Sequence, residues 1–565
     1  MVQVSATRLL KRLKRVRDEH SVDSAGRKLE LLRELDLRRL SKPTEVRDLH
    51  EVLSFLHAYP DSRRIRTQVE RMLNRFAERS DLRRFANALE DTGIEGTPIY
   101  YSFYWSTALW LETKWPGCLS IDWKEFKRQD DLRILLYTLL PFCESLILDE
   151  SELDPRELLD WLRHPDETDA GFLIRRVAKA RADEAIRETI YEELDIPYRL
   201  SPGPGTPART GARYKPSPVV FQTRPLDRSR PDLRKECLRK PRAVRPVSPR
   251  EGQKLIEMTR EAMVTRSRDL YAFQFSDKND VRLVEFDDGL QFAAFGLLPK
   301  QRLMLDSVYG FLTLKNGIPM GYVLSSSYFN STEVAYNIFD TFRGGEAARV
   351  YGRVLAMMRH LFGADAFTVD PYQMGHDNPE GLKSGAWWFY YKLDFRPMDP
   401  EVKRLLRSEL ARMRKNPKHR SSLATLNRLS SKNMFLFAGR PRKDIRGLIS
   451  LENIALAVSR YIALRYGADR ERAMRECAQK AAQLLGVRSF RGFTPDERLA
   501  WKRWSPLMLA LPGVERWTRE EKRALARVAR AKGGRRESDY VRLLDSHRKL
   551  RRSLLKLAER EHEPV

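Results

Sequence analysis

Apolar residues recur at three-to-four spacing through residues 1–200, as in Val52, Leu53 and Leu56 and again in Leu82, Phe85 and Leu89. That period predicts amphipathic helices. Ser151 with Asp154, followed by Pro155, has the form of a helix start. The aromatic run from Tyr100 to Trp110 reads as buried helix core, because its surroundings are acidic. Over residues 201–250 the pattern stops. Ten prolines, from Pro202 to Pro249, exclude a helix or a central strand and predict a semi-extended linker. From residue 251 the period shortens. Arg282–Phe286, Leu290–Phe295 and Tyr309–Leu314 read as strands, and Asn316-Gly317 predicts a hairpin into Met320–Leu324. Glu333–Phe339 reads as a strand and Glu346–Phe362 as a helix, with Val350, Val354, Leu355, Met358 and Leu361 on neighbouring faces. Ala366–Val369 then reads as a strand and Ala386–Leu393 as a helix. Helical spacing returns in Glu401–Lys415, Leu451–Tyr466, Glu471–Leu485, Arg519–Ala531 and Asp539–Glu561.

This order predicts an α+β chain in four parts. A helical domain spans residues 1–200 and a Pro-rich basic linker spans 201–250. A central mixed α/β domain spans 251–400, and a basic helical region spans 401–565.

Charge sharpens that division. The 565 residues carry 104 Lys and Arg against 77 Asp and Glu, a net of +27. Residues 1–200 and 251–400 are each at −3, whereas the linker stands at +10 and residues 401–565 at +23. The excess therefore bears on the linker and the last third, not on the α/β domain. Nucleic acid at residues 401–565 is one expected partner, with phosphate contacts from Arg412–Lys415, Lys418–Arg420 and Arg548–Arg552. Gly439–Lys443 reads as a flexible basic loop. Trp501, Trp504 and Trp517 read as core residues, with base stacking as the alternative. The amphipathic basic pattern of Asp539–Glu561 leaves contact with a membrane surface open.

Four cysteines without a CxxC pair exclude a disulfide scaffold and a zinc ribbon, and fit a reducing compartment. The first twenty residues are too polar after Leu10 for a signal-peptide core, and no apolar run approaches the ~18 residues that span a bilayer. These features predict a cytoplasmic protein without a transmembrane segment. No GxxxxGK[ST], HExxH or GxSxG motif occurs, and the nine histidines show no metal-ligand spacing.

Chemistry concentrates between Glu333 and Phe395. A strand ending near Phe339 runs into Arg343-Gly344-Gly345-Glu346-Ala347-Ala348, and a helix follows. Glycines at such a turn let backbone N–H groups approach a ligand, and the helix N-terminus favours an anion there. The segment resembles the pyrophosphate loop, Arg/Gln-x-x-Gly-x-Gly/Ala, of the GNAT N-acetyltransferase superfamily. Glu346 stands where that family prefers glycine. The family's closing helix often reads Ala-x-x-x-Tyr-x-Lys-x-Gly-Phe. Here Ala386 to Phe395 matches it except at Asp394, and Asn378 falls where the family often has asparagine. The resemblance covers residues 305–397, about a sixth of the chain.

The resemblance implies that acetyl-CoA or another acyl-CoA lies between two parallel strands, near 333–339 and 366–370, and that its acyl group passes directly to an amine. Arg343, Gly344, Gly345, Glu346, Ala347, Ala348 and Asn378 would then bind the cofactor. Tyr390 would be the general acid and Glu333 the general base, with Asp340 as a weaker rival and His376 a candidate for the acceptor site. Two other classes stay open. One is a degenerate GNAT-like protein that binds nucleic acid, or regulates, through its basic C-terminal region. The other is a transferase that takes its donor from aminoacyl-tRNA.

Overall fold

The computed structural model describes residues 5–215 and 218–560. The chain is mixed α+β, with 53% helix and 12% strand. It divides into two compact units. Unit 1 comprises Met1–Pro225, Lys254–Phe275 and Lys315–Pro319, and unit 2 comprises Leu226–Gln253, Ser276–Leu314 and Met320–Val565. The expected linker is thus shared out between them. Among the described residues no helix is long and apolar enough to cross a membrane.

Unit 1 is mainly helical, as the spacing predicts. Its helix Pro155–Leu162 begins with a capping box, in which Asp154 accepts from the Glu157 N–H at 2.8 Å. Its helices also surround a small antiparallel sheet, β1 (Ile99–Tyr101), β2 (Leu119–Ile121) and β3 (Tyr198–Leu200), in the order β1-β3-β2. The aromatic run is divided accordingly. Tyr100 and Tyr101 lie in β1, and Trp105 opens the helix Trp105–Lys114. Phe103, Trp105, Leu111, Leu132, Leu173 and Tyr198 share one buried core.

Unit 2 is built on a sheet of β4 (Ala243–Pro246), β5 (Ser276–Glu285), β6 (Leu290–Leu297), β7 (Ser307–Lys315), β8 (Ile318–Tyr328), β9 (Ser331–Ile338), β10 (Ala366–Val369), β11 (Arg396–Pro397) and β12 (Met434–Phe437). Their order is β11-β12-β10-β9-β8-β7-β6-β5-β4. β7 and β8 form the predicted hairpin, whose turn Lys315–Pro319 is counted with unit 1, and Asn316 (φ 49°) and Gly317 (φ 80°) both take the left-handed conformation that such a turn demands. The linker is not wholly extended. Leu233–Glu236 is a short helix, and β4 sits at the edge of the sheet, where its terminal Pro246 breaks no ladder.

The last third also departs from an all-helical reading. β12 pairs antiparallel with β10, Ala366 opposite Phe437 and Val369 opposite Met434. The expected helix over 539–561 is two, Glu537–Ser546 and Arg548–Ala558, broken at His547, whose ring accepts the Leu550 N–H at 3.1 Å. A further helix, Pro495–Ala510, accommodates Pro506. Trp501, Trp504 and Trp517 are buried, and the indole N–H groups of the first two donate to the Ala478 and Met304 carbonyls. These three rings are core residues and are not available to stack on bases.

Candidate active site

β9 and β10 are the parallel pair. Their register runs Ser331 to Ala366, Thr332 to Phe367 and Glu333 to Thr368. β10 ends at Val369, and Asp370 then caps a short helix by accepting the Tyr372 N–H at 2.9 Å. β9 continues to Ile338, still paired to β8. The two strands therefore part just beyond Glu333.

Glu333 stands at that point. Its carboxylate pairs with Arg446, Nε to Oε2 at 3.0 Å, while Arg446 Nη1 reaches Asp306 Oδ2 at 2.9 Å. The Arg446 backbone is pinned as well. Its N–H donates to Ser331 Oγ at 2.9 Å, and its carbonyl accepts from Thr368 Oγ1 at 2.8 Å. Burial pushes the Glu333 carboxyl above the ordinary glutamate range, opposed by Arg446 and reinforced by Asp370 and Asp306. Arg446 and Asp306 are the site residues that sequence reasoning missed. Ser331 and Glu333 gave no sign of an arginine more than a hundred positions downstream.

Tyr390 occupies the other side of the sheet. Alternation along β9 points Tyr336 to the face opposite Glu333. Tyr336 meets Tyr351 with ring centroids 5.2 Å apart, and Tyr351 meets Tyr390 at 5.7 Å. Phe395 closes the cluster at 5.8 Å from Tyr390. Tyr390 is 3% exposed, and burial pushes its phenol well above the usual value, so at neutral pH it keeps its proton.

The glycine loop leads from β9 into the 16-residue helix Ala347–Phe362. Gly344 has φ +80°, and a Cβ there would meet nothing within 4 Å, so backbone conformation rather than crowding calls for glycine. Glu346 precedes the helix without capping it. Its carboxylate is turned to Arg349 at 3.3 Å, and Arg349 also pairs with Asp288. The Ala347 and Ala348 N–H groups thus begin the helix without a side-chain acceptor. Arg343 is committed to acids. It pairs with Asp340 at 2.8 Å and with Glu380, and its Nε donates to the Ile338 carbonyl. Asp340 is accordingly spent on Arg343.

Asn378 caps the helix Pro379–Ser384 by accepting the Gly381 N–H at 3.1 Å, and donates to the Tyr372 carbonyl at 3.0 Å. The Arg343–Glu380 pair joins this segment to the glycine loop. His376 lies in the same connection, its Nε2 3.8 Å from Asp377. The expected flexible basic loop is tied down. Arg442 pairs with Asp365 at 2.7 Å and with Asp444 at 3.0 Å.

No protein-family model, curated protein or solved structure matches this chain.

Proposed function

We propose that unit 2 carries an acyl-CoA-dependent N-acyltransferase site of the GNAT type, acting on an amine. One observation carries this reading: β9 and β10 stop pairing after Glu333–Thr368, beside a glycine turn that opens a long helix with no side-chain cap. Acetyl-CoA or another acyl-CoA is the donor. The N–H groups of Ala347 and Ala348 would receive its pyrophosphate, with Gly344 and Gly345 letting it approach although the Gly345 N–H itself donates to the Phe342 carbonyl. Arg343 would exchange Glu380 for a phosphate, and Asn378 would hold the neighbouring connection. The amine nitrogen attacks the thioester carbon and the carbon–sulfur bond breaks. Glu333 takes the amine proton, directly or through water, and Tyr390 gives its proton to the departing thiolate. A carboxyl raised above its ordinary range is the stronger base, and the buried phenol carries the proton that the thiolate needs, although burial makes it the weaker donor. Calorimetry with acetyl-CoA tests the reading, together with mass spectrometry of the purified protein for bound CoA. Absence of heat at millimolar ligand would overturn it.

A second reading has the core degenerate and residues 401–565 bound to nucleic acid phosphates. It is favoured by the local +23 and by exposed Lys403, Arg407, Arg414, Lys415 and Lys418 on and just after the helix Pro400–Lys415. An aminoacyl-tRNA donor would combine the two readings. Binding to a duplex should weaken with salt, with a log–log slope of about −0.9 per phosphate neutralised. No binding at about 50 mM salt would leave the charge as solvated surface.

A further inference from the structure

A groove of about 600 Å³ lies in unit 1, apart from the residues discussed above. Leu135 and Leu139, from the end of helix Gln129–Thr138 and just beyond it, line it with Val177 and Ile190. Its volume falls within the ~300–1,000 Å³ of small-ligand sites. Arg176, Lys179, Arg181 and Arg187 are the charged groups in the lining, which contains no carboxylate. That is unexpected from the local sequence, because residues 129–200 hold 18 acidic and nine basic residues. Four of the nine cations gather on this groove.

These cations differ from their neighbours in how they are used. Arg163 pairs with Asp160, and Arg175 pairs with Glu112 and Glu167. Neither Arg176 nor Arg187 makes an ion pair among the described residues. Arg176 Nη2 donates to the Leu139 carbonyl at 2.5 Å, and Arg187 Nη1 donates to the Ala178 carbonyl, which fixes both guanidiniums at the wall. The Arg187 Nε atom is buried and has no acceptor. That N–H is closed off from the groove, but the positive charge of the Arg187 and Arg176 guanidiniums is not cancelled by any carboxylate of the lining, which favours an anion beside them.

We infer that this groove binds a small amphipathic anion, a single-chain carboxylate whose tail lies along Leu135, Leu139, Val177 and Ile190 and whose head group meets Arg187 and Arg181. The inference stands independently of the acyltransferase reading. The probe is dodecanoate, kept below its micelle concentration and titrated calorimetrically into the full chain. Saturable 1:1 binding is expected. Affinity should rise about three- to fourfold per methylene from octanoate to dodecanoate, as each CH₂ leaves water. Arg187→Gln should weaken it about tenfold. Arg181→Glu changes an exposed side chain that the fold does not need, and should weaken it at least as much. The proposal is overturned if dodecanoate gives no heat, or if both folded variants bind within twofold of wild type. Equal binding of dodecyltrimethylammonium would overturn it, as would binding of an acidic amphipathic peptide but not of dodecanoate.

Discussion

Arg446 pairs with Glu333 across 113 residues of chain, Nε to Oε2 at 3.0 Å, and holds Asp306 with its other arm. One guanidinium thus neutralises two carboxylates where the parallel strands part. Arg446→Gln leaves Glu333 facing Asp306 and Asp370 alone, and both raise its pKa. Its titration should move further above the ordinary glutamate range, and the protein should lose about 1–3 kcal/mol for the unpaired acids. Carbon-13 NMR of the Glu333 carboxyl reads the first effect and denaturant unfolding the second. A titration that stays put or moves down would show that Arg446 does not control this acid.

Glu380 holds the Arg343 guanidinium, so on the acyltransferase reading its carboxylate would compete with a CoA phosphate for that group. The pair is about half exposed, so it is worth no more than ~1 kcal/mol. Glu380→Gln should therefore tighten acetyl-CoA binding by up to about fivefold, and Arg343→Gln should weaken it. Calorimetry on both variants decides. Weaker binding by the glutamine variant at 380 would mean that Glu380 supports the loop instead of competing with the ligand.

Much of this geometry was legible locally. The β7–β8 turn is declared by Asn316-Gly317, since few residue pairs tolerate two successive left-handed conformations. The β9–turn–helix run is declared by a change of period at Arg343-Gly344-Gly345. What escaped depends on distant partners. Met434–Phe437 is four apolar residues, too short for a period to distinguish strand from helix, and its identity comes from β10 far upstream. The break at His547 carries neither Gly nor Pro, and a side-chain cap sets it. The helix Pro495–Ala510 did carry a signal, the Thr494–Glu497 capping box with Pro495 at its first position, which Pro506 obscured. Arg446 had none, because ion pairing across a sheet leaves no mark on spacing.

Tyr390→Phe preserves the rings that meet Tyr351 and Phe395 while removing the phenolic proton. Acetyl-CoA binding and thermal stability should stay as in wild type. Release of CoA thiol in the presence of a panel of primary amines should fall by roughly 10²–10⁴ if the phenol is the acid. An unchanged rate would assign Tyr390 to packing alone.

Asp545 gives unit 2 a pH dependence of its own. It accepts the Asn330 N–H at 3.0 Å, at the tight turn of Phe329 and Asn330 that feeds β9. Arg551 and Arg442 grip the same turn, donating to the Asn330 side chain and carbonyl, and Asp444 pairs with both. Burial nevertheless dominates and raises the Asp545 carboxyl from 3.8 to about 7. Between those values the folded chain holds a proton that the unfolded chain has released, so stability falls as pH rises through the window. Asp545→Asn keeps an acceptor for the Asn330 N–H but cannot ionise. Its stability relative to wild type should improve steadily from about pH 4 to pH 7 and then level off. Urea unfolding across that range measures the difference, and a gap independent of pH would show that Asp545 is ionised throughout.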